Sequence, residues 1–464
     1  MSAVAPGRAG RAPTVRLLGR WRPDLLGAHI ADPARFPFLL ESASSGTRQG
    51  RYDLLLVAGA EALWLDPGGA LVGARAGSGG FLAALDTWFA AERVAPAPEA
   101  PLPFAGGWFV YLGYELAQEV EPRLRLPRGP GPVAFAARVR AAAIYDHAAG
   151  ELWLVAEPGA ESELALLADR LRPLAAPPPA PPPIPALALV EDDPERYRRA
   201  VRRALEYIAA GDIYQANLAR EWRARLPDGV AAAALYAHLR RANPGPFAGL
   251  AALPGMTVLS TSPERLVACR GARVETRPIA GTRPRRGDDA LVTAELRANA
   301  KEQAEHVMLL DLERNDLGRI CRAGTVEVDE YMTIESYAHV HHIVSNVRGT
   351  TRADVTPGQL IRALFPGGTI TGCPKVRCME IIAELEARPR GAYTGSFGYL
   401  GRDGSLDLNI LIRTATVRAL PEHGRELSIL AGAGIVADSD PDRELEETRA
   451  KARGLVRALG AERA

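Results

Sequence analysis

The runs Ser396-Phe-Gly-Tyr-Leu400, Asn409-Ile-Leu-Ile-Arg-Thr-Ala-Thr-Val417 and Leu427-Ser-Ile-Leu-Ala431 follow one another with only Gly- and Pro-bearing turns between them. They are rich in β-branched and aromatic residues, and no helical pattern separates them, so they read as strands. Working outward, helical periodicity occupies Val376–Glu386 and a long stretch from Ala290 to Asp311, and a last helix begins near Arg443. Further upstream lie strand-like runs at Val258–Ser260 and Leu266–Cys269. Before those, Pro194–Ala210 puts Tyr197, Val201, Leu205 and Ile208 on one helical face with charges opposite. Strands and helices are intermixed without a regular βαβ alternation, which predicts an α+β fold with antiparallel sheets.

Leu174-Ala-Ala-Pro-Pro-Pro-Ala-Pro-Pro-Pro-Ile-Pro185 breaks the pattern. Prolines at that density favour extended polyproline II, so a linker over 174–190 is expected between an N-terminal region, 14–173, and a C-terminal region, 191–458. The N-terminal region reads as short strands at Tyr52–Val57, Ala62–Leu65, Gly107–Leu112, Ala141–Tyr145 and Leu152–Val155. Met1 to Arg20 has no apolar core suited to a signal peptide and reads as a frayed tail. Apolar residues are 47% and charged residues 24% of the 464, the composition of a soluble globular protein. A net charge of +1 gives no footprint for nucleic acid or acidic lipid, and no run approaches a membrane span. The four cysteines cannot form a disulfide framework, so a reducing cytoplasmic compartment is expected.

Three features could carry chemistry. Glu302 and Glu305 lie three apart, and Glu444, Glu447 and Lys451 follow at i, i+3 and i+7; either spacing gathers its carboxylates on one helix face. Two such faces meeting across a cleft would offer hard oxygen ligands with water positions left open, which suits Mg²⁺; either face taken alone reads first as a solvated surface. Gly/Thr turns at Pro278–Thr282, Phe365–Lys375 and Ala431–Ile435 could bring backbone N–H groups and hydroxyls to an anion, or could be plain turns. Gln215 and Asn217 alternate on one face of a strand, Arg413 and Thr414 end the apolar run from Asn409, and His342 sits in a polar-studded run. No general catalytic motif is present, and these residues alone lead to an α+β enzyme with an anionic substrate.

Taken together, these segments resemble the chorismate-utilising enzymes. The matching stretches are Ser262-Pro-Glu-Arg265, Arg277-Pro-Ile-Ala-Gly-Thr-Arg-Pro-Arg285, Ala304-Glu-His306, Asp311–Arg319, His342-Ile-Val-Ser345, Phe365–Lys375, Ile412-Arg-Thr414, Ala431-Gly-Ala-Gly434 and Glu447-Thr-Arg-Ala-Lys451. Leu39-Leu-Glu-Ser42, Arg51-Tyr-Asp53 and Pro103-Phe-Ala-Gly-Gly107 resemble the N-terminal extension of the component I members. The resemblance implies two packed antiparallel β-sheets flanked by helices, with the active site in a cleft. It implies Mg²⁺ between Glu305 and Glu447, with Glu302 and Glu444 nearby, bound to the ring carboxylate of chorismate. It gives Glu264 the role of the acid that protonates the departing C4 hydroxyl and sets His342 near the ring. Gly281, Thr282, Thr369, Tyr393, Arg413, Gly432, Gly434 and Lys451 match substrate-holding positions.

The water-using members carry a lysine base where this chain has Gln215. A glutamine cannot deprotonate water, so the resemblance implies ammonia as the nucleophile. None of the cysteines sits in a glutaminase-like Gly-x-Cys-x-Gly elbow, which implies a separate glutamine amidotransferase as the ammonia source. Ala280 stands where many aminodeoxychorismate synthases have a lysine, as in the anthranilate synthases. Tyr214-Gln-Ala-Asn-Leu218, Arg51–Leu55, Tyr111–Glu115 and Asp407–Arg413 are more similar to the aminodeoxychorismate branch. The expected product is therefore 4-amino-4-deoxychorismate, with anthranilate plus pyruvate the alternative. Leu39–Ser42 is similar to the element that holds tryptophan in anthranilate synthases, so tryptophan is a possible second ligand there.

Overall fold

A computed structural model describes residues 12–44, 49–77, 79–96, 102–175, 180–285, 289–336 and 340–460. Every strand pairing in it is antiparallel. Two long strands, Tyr52–Leu65 and Ala134–Asp146, pair along nearly their whole length and act as a root from which two sheets diverge. From the free edge of Tyr52–Leu65, one sheet runs through Phe38–Glu41, Phe247–Leu253, Met256–Ser262, Thr414–Ala419, Arg425–Ile435 and Gln215–Leu226. From Ala134–Asp146, the other runs through Gly107–Leu112, Ser396–Gly401, Leu406–Asn409, Arg265–Arg270, Arg273–Arg277 and Val340–Thr350. Ile279–Pro284 and Glu327–Ser336 flank that last strand.

The two sheets pack face to face. Phe38 from the first stacks on Phe109 from the second with ring centroids 4.0 Å apart, and Leu54, Val258, Phe135, Phe397 and Leu411 complete this inner core. The outer face of the first sheet is covered by Leu25–Ala31, Ser162–Leu171, Ala232–Ala242 and Pro441–Ala458. Gly80–Glu92, Ala300–Gly318 and Pro357–Leu364 cover the second. The expected α+β fold of two packed antiparallel sheets flanked by helices is what the chain forms. Strands from before and after the proline-rich stretch pair in both sheets, Phe38–Glu41 with Phe247–Leu253 and Gly107–Leu112 with Ser396–Gly401. Among the described residues, no helix is long and apolar enough to cross a membrane.

Four expectations need correction. Thr14–Gly19 is a strand paired with Glu151–Ala156, so this part of the N-terminus is held in the sheet and not frayed. Tyr52–Val57 and Ala62–Leu65 belong to one strand with an irregular register at Ala58–Ala62, where the sheet turns from one partner region to the next. The long helix is two, Asp289–Ala298 and Ala300–Gly318, because the Asn299 side chain caps the second by accepting from the Glu302 N–H. Asn409–Val417 is not continuous: Leu406–Asn409 ends in one sheet and Thr414–Ala419 begins in the other, with Arg413 at φ 51° between them.

Candidate active site

The chain crosses between the sheets twice side by side, and both crossings carry site residues. Met256–Ser262 passes into Arg265–Arg270 through Pro263-Glu264, and Leu406–Asn409 passes into Thr414–Ala419 through Ile410–Arg413. The crossings are laced together. Ile410 N donates to Glu264 O at 3.0 Å, the Ser262 hydroxyl donates to Ile410 O, and Thr261 donates to Arg413 O from both its N–H and its hydroxyl at 3.1 Å. A non-glycine residue in the left-handed region is held there only when its surroundings over-determine it, and the two Thr261 bonds to the Arg413 carbonyl do that.

 Arg413 is the cation facing this crossing: its charge acts on both Glu264 and His342.

Glu264 is 4% exposed, and burial pushes its carboxyl up to about 7, a shift that the adjacent Thr369 hydroxyl, the Ile279 N–H and Arg413 oppose and Glu313 reinforces. A carboxyl there keeps its proton near neutrality, as a general acid must. His342 lies opposite Thr282 in the strand register and hydrogen-bonds the Gly281 backbone. Burial, helped by Arg413, lowers its pKa to about 3, so the ring is neutral in the ligand-free site. Gly281 has φ 64°, and an added Cβ there would stand 2.8 Å from Glu302 Oε2, so only glycine lets this strand lie against that carboxylate. The side chains of Ala280 and Thr282 lie outside the described residues.

A second group of side chains gathers where Gln215–Leu226 meets Arg425–Ile435. Asn217 stands opposite Gly434 in the register, and Gln215 and Asn217 share a face as their alternation predicts. Cβ atoms at the two glycines would collide with them: one at Gly434 would lie 2.4 Å from Gln215 Nε2, and one at Gly432 would lie 2.6 Å from Asn217 Oδ1 and 2.8 Å from the Tyr393 hydroxyl. Tyr393 is buried and bonded to the Gly432 backbone, and burial pushes its phenol up to about 12, so it stays a neutral hydroxyl. Lys451 Nζ donates to Gly432 O at 3.0 Å and pairs with Glu447 at 2.7 Å. The two groups adjoin through the turn Gly368–Ile370, since Asn217 N donates to Thr371 O at 2.9 Å. Gln215 Oε1 and Asn217 Oδ1 are buried and have no hydrogen-bond donor among the described residues, an arrangement that folded proteins avoid unless water or a ligand supplies the other half.

The acidic faces carry ion pairs of their own. Arg283 Nη1 donates to Glu302 at 2.9 Å and Lys451 closes on Glu447, while Glu444 is buried and Glu305 partly so. Among the described residues, no three His, Cys, Asp or Glu side chains are gathered to hold a metal ion. The donor chemistry still fits Mg²⁺, which is commonly held by one or two carboxylates with water completing its shell.

Two features went unread in the sequence. Glu313, beneath the Gly368 turn, is buried with its carboxyl raised to about 7 by burial and by Asp316, and Arg390 is buried among the site's backbone segments. Glu313 falls inside the matching stretch Asp311–Arg319 with nothing there to single it out, and Arg390 sits in no such stretch, because burial of a charge depends on partners distant in the chain. Leu40, Glu41 and Ser42 line a separate cavity of about 350 Å³ with Tyr52, Phe247, Arg265, Phe397 and Tyr399. The Glu41 carboxylate in its wall is already engaged by the Tyr236 hydroxyl at 2.7 Å and Arg240 at 2.6 Å.

Fold and site together define a chorismate-binding enzyme, and the comparisons agree: residues 62–457 match the family model for chorismate binding enzyme, so the chain belongs to that family. It is 42% identical over 446 residues to anthranilate synthase component 1 of Thermus thermophilus, covering 93% of each chain. It is 39% identical over 397 residues to aminodeoxychorismate synthase component 1 of Bacillus subtilis, covering 82% of each. Among solved structures, anthranilate synthase component I from Streptococcus pneumoniae superposes with a TM-score of 0.76 at 27% identity, covering 88% of this chain and 93% of that one.

Proposed function

We propose that this chain aminates chorismate with ammonia from a separate glutamine amidotransferase, giving 4-amino-4-deoxychorismate. The observation that carries a ligand bearing N–H or O–H donors, as ammonia and the chorismate hydroxyl do, is the pair of buried amide oxygens Gln215 Oε1 and Asn217 Oδ1, which find no donor among the described residues and stand near a carboxyl held protonated. Glu264 gives its proton to the C4 hydroxyl, which leaves as water while ammonia adds at C2. A second ammonia entering at C4 then expels the C2 amine, so the net change is replacement of hydroxyl by amine with release of one water. Gln215 hydrogen-bonds the nucleophile but cannot act as a base toward water. Arg413 and Lys451 supply positive charge for the substrate carboxylates, and Tyr393 and the Gly432–Gly434 backbone hold the ring side. Glu302, Glu305, Glu444 and Glu447 would hold Mg²⁺, which when bound neutralises the ring carboxylate against these acids.

The para product rests on the likeness of Tyr214–Leu218 and Asp407–Arg413 to the aminodeoxychorismate branch. A second reading, anthranilate synthesis, is favoured by Ala280, which leaves no lysine to attack C2, and by the relatives that carry that name. Under either reading the cavity behind Leu40–Ser42 is a place for tryptophan, with Phe247, Phe397 and Tyr399 as apolar walls.

The purified chain is expected to consume chorismate with ammonium and not with glutamine alone; consumption with glutamine would contradict the separate amidotransferase. Glu447→Ala is expected to raise the Mg²⁺ concentration for half-maximal turnover by about 10- to 100-fold. A titration that leaves Mg²⁺ dependence unchanged would remove Glu447 from the metal set.

A further inference from the structure

We propose that Arg390 is the positioning residue that holds three walls of the substrate site in register. The inference rests on the site proposed above. The Arg390 side chain is 1% exposed, and all five of its N–H donors are used. Nε and Nη2 grip the Glu386 carboxylate at 3.0 and 2.6 Å, and Nη1 reaches the Thr394 hydroxyl at 3.3 Å. The remaining two go to backbone carbonyls that belong to the site. Nη1 donates to Ile370 O at 3.2 Å, next to Thr369, and Nη2 donates to Asn217 O at 2.6 Å, whose own side chain carries one of the partnerless oxygens. The guanidinium also lies 5.6 Å from the centre of the Tyr393 ring.

One planar cation thus ties the Gly368–Ile370 turn, the start of Gln215–Leu226 and the Tyr393 turn to one another, although it is not among the substrate-holding positions. A lysine cannot reproduce this, because an ammonium has three donors and no fixed plane. Misplacement of a binding wall by about 1 Å can cost as much as 10²-fold in turnover.

The test compares two buried arginines. The Arg138 side chain is likewise buried, 2% exposed, and doubly paired, with Glu157 at 2.6 Å and Glu92 at 2.7 Å, but its partners lie outside the site. Arg390→Lys and Arg138→Lys are both expected to lower the melting temperature. Arg390→Lys alone should raise the chorismate Kd, measured by calorimetry, and the KM by about tenfold or more, while Arg138→Lys stays within about twofold of wild type. If Arg390→Lys does not fold, the isosteric Glu386→Gln, which loosens the grip on the guanidinium, should still raise Kd by about threefold. Unchanged Kd and KM in a folded Arg390→Lys or Glu386→Gln would overturn the proposal, as would an equal rise in Arg138→Lys. Because Kd does not depend on which product forms, failure of the product assignment would leave this outcome legible.

Discussion

Glu264→Gln is expected to lower kcat for chorismate consumption by about 10²–10⁴-fold while leaving chorismate binding nearly intact. The glutamine keeps the shape and the Ile279 contact but has no proton to give to the leaving hydroxyl. The wild-type pH profile follows from the same carboxyl. Its pKa is raised to about 7, so the protonated, active form is lost as pH rises through 7, and kcat/KM should fall on that side. The residual activity of Glu264→Gln should lack this limb. Stability gives an independent check. A carboxyl whose folded pKa lies above its unfolded value near 4.5 contributes stability that is present below pH 4.5 and lost as pH rises through 7. At pH 8 the wild type must therefore bury an ionised Glu264, and Glu264→Gln should melt at a higher temperature. Near-wild-type turnover in the glutamine variant would remove Glu264 from the chemistry.

Gly432→Ala is the second large effect. The added methyl would meet Asn217 Oδ1 at 2.6 Å, Leu218 O at 2.7 Å and the Tyr393 hydroxyl at 2.8 Å. The amide and phenol could shift, but the Leu218 carbonyl is backbone within a strand paired to this one, so the sheet itself must give. Overpacking of this kind costs about 1–3 kcal/mol, and here the displaced groups are the ones assigned to the ligand. Because those groups border the proposed substrate site, their displacement should raise chorismate KM by about 10-fold or more, separately from the loss of stability. A KM within twofold of wild type would mean that Asn217 and Tyr393 do not bound the substrate.

What could be read from the sequence divides by the range of the interactions involved. Strands such as Gly107–Leu112 and the helix from Pro194 emerge with correct or nearly correct limits, because an apolar run and helical periodicity are local. The break at Ile410–Arg413 carries no glycine or proline; it exists because Thr261, more than 150 residues upstream, binds the Arg413 carbonyl. The Asn299 cap was readable in principle but hidden inside a continuous helical pattern. At the site, the Gln215/Asn217 face follows from alternation alone. The roles of Glu264, Tyr393 and Lys451 entered through resemblance, and the structure supplies their burial and partners. Arg390 illustrates the remainder: nothing adjacent to it in sequence announces that its guanidinium joins residues 217, 370 and 386.

The most direct test of the account is product analysis of the purified chain incubated with chorismate, Mg²⁺ and ammonium, with and without added aminodeoxychorismate lyase. The expected product is an intermediate that becomes 4-aminobenzoate only when the lyase is present. Direct release of anthranilate and pyruvate without the lyase would contradict it and show that Ala280, not the strand motifs, reports the chemistry.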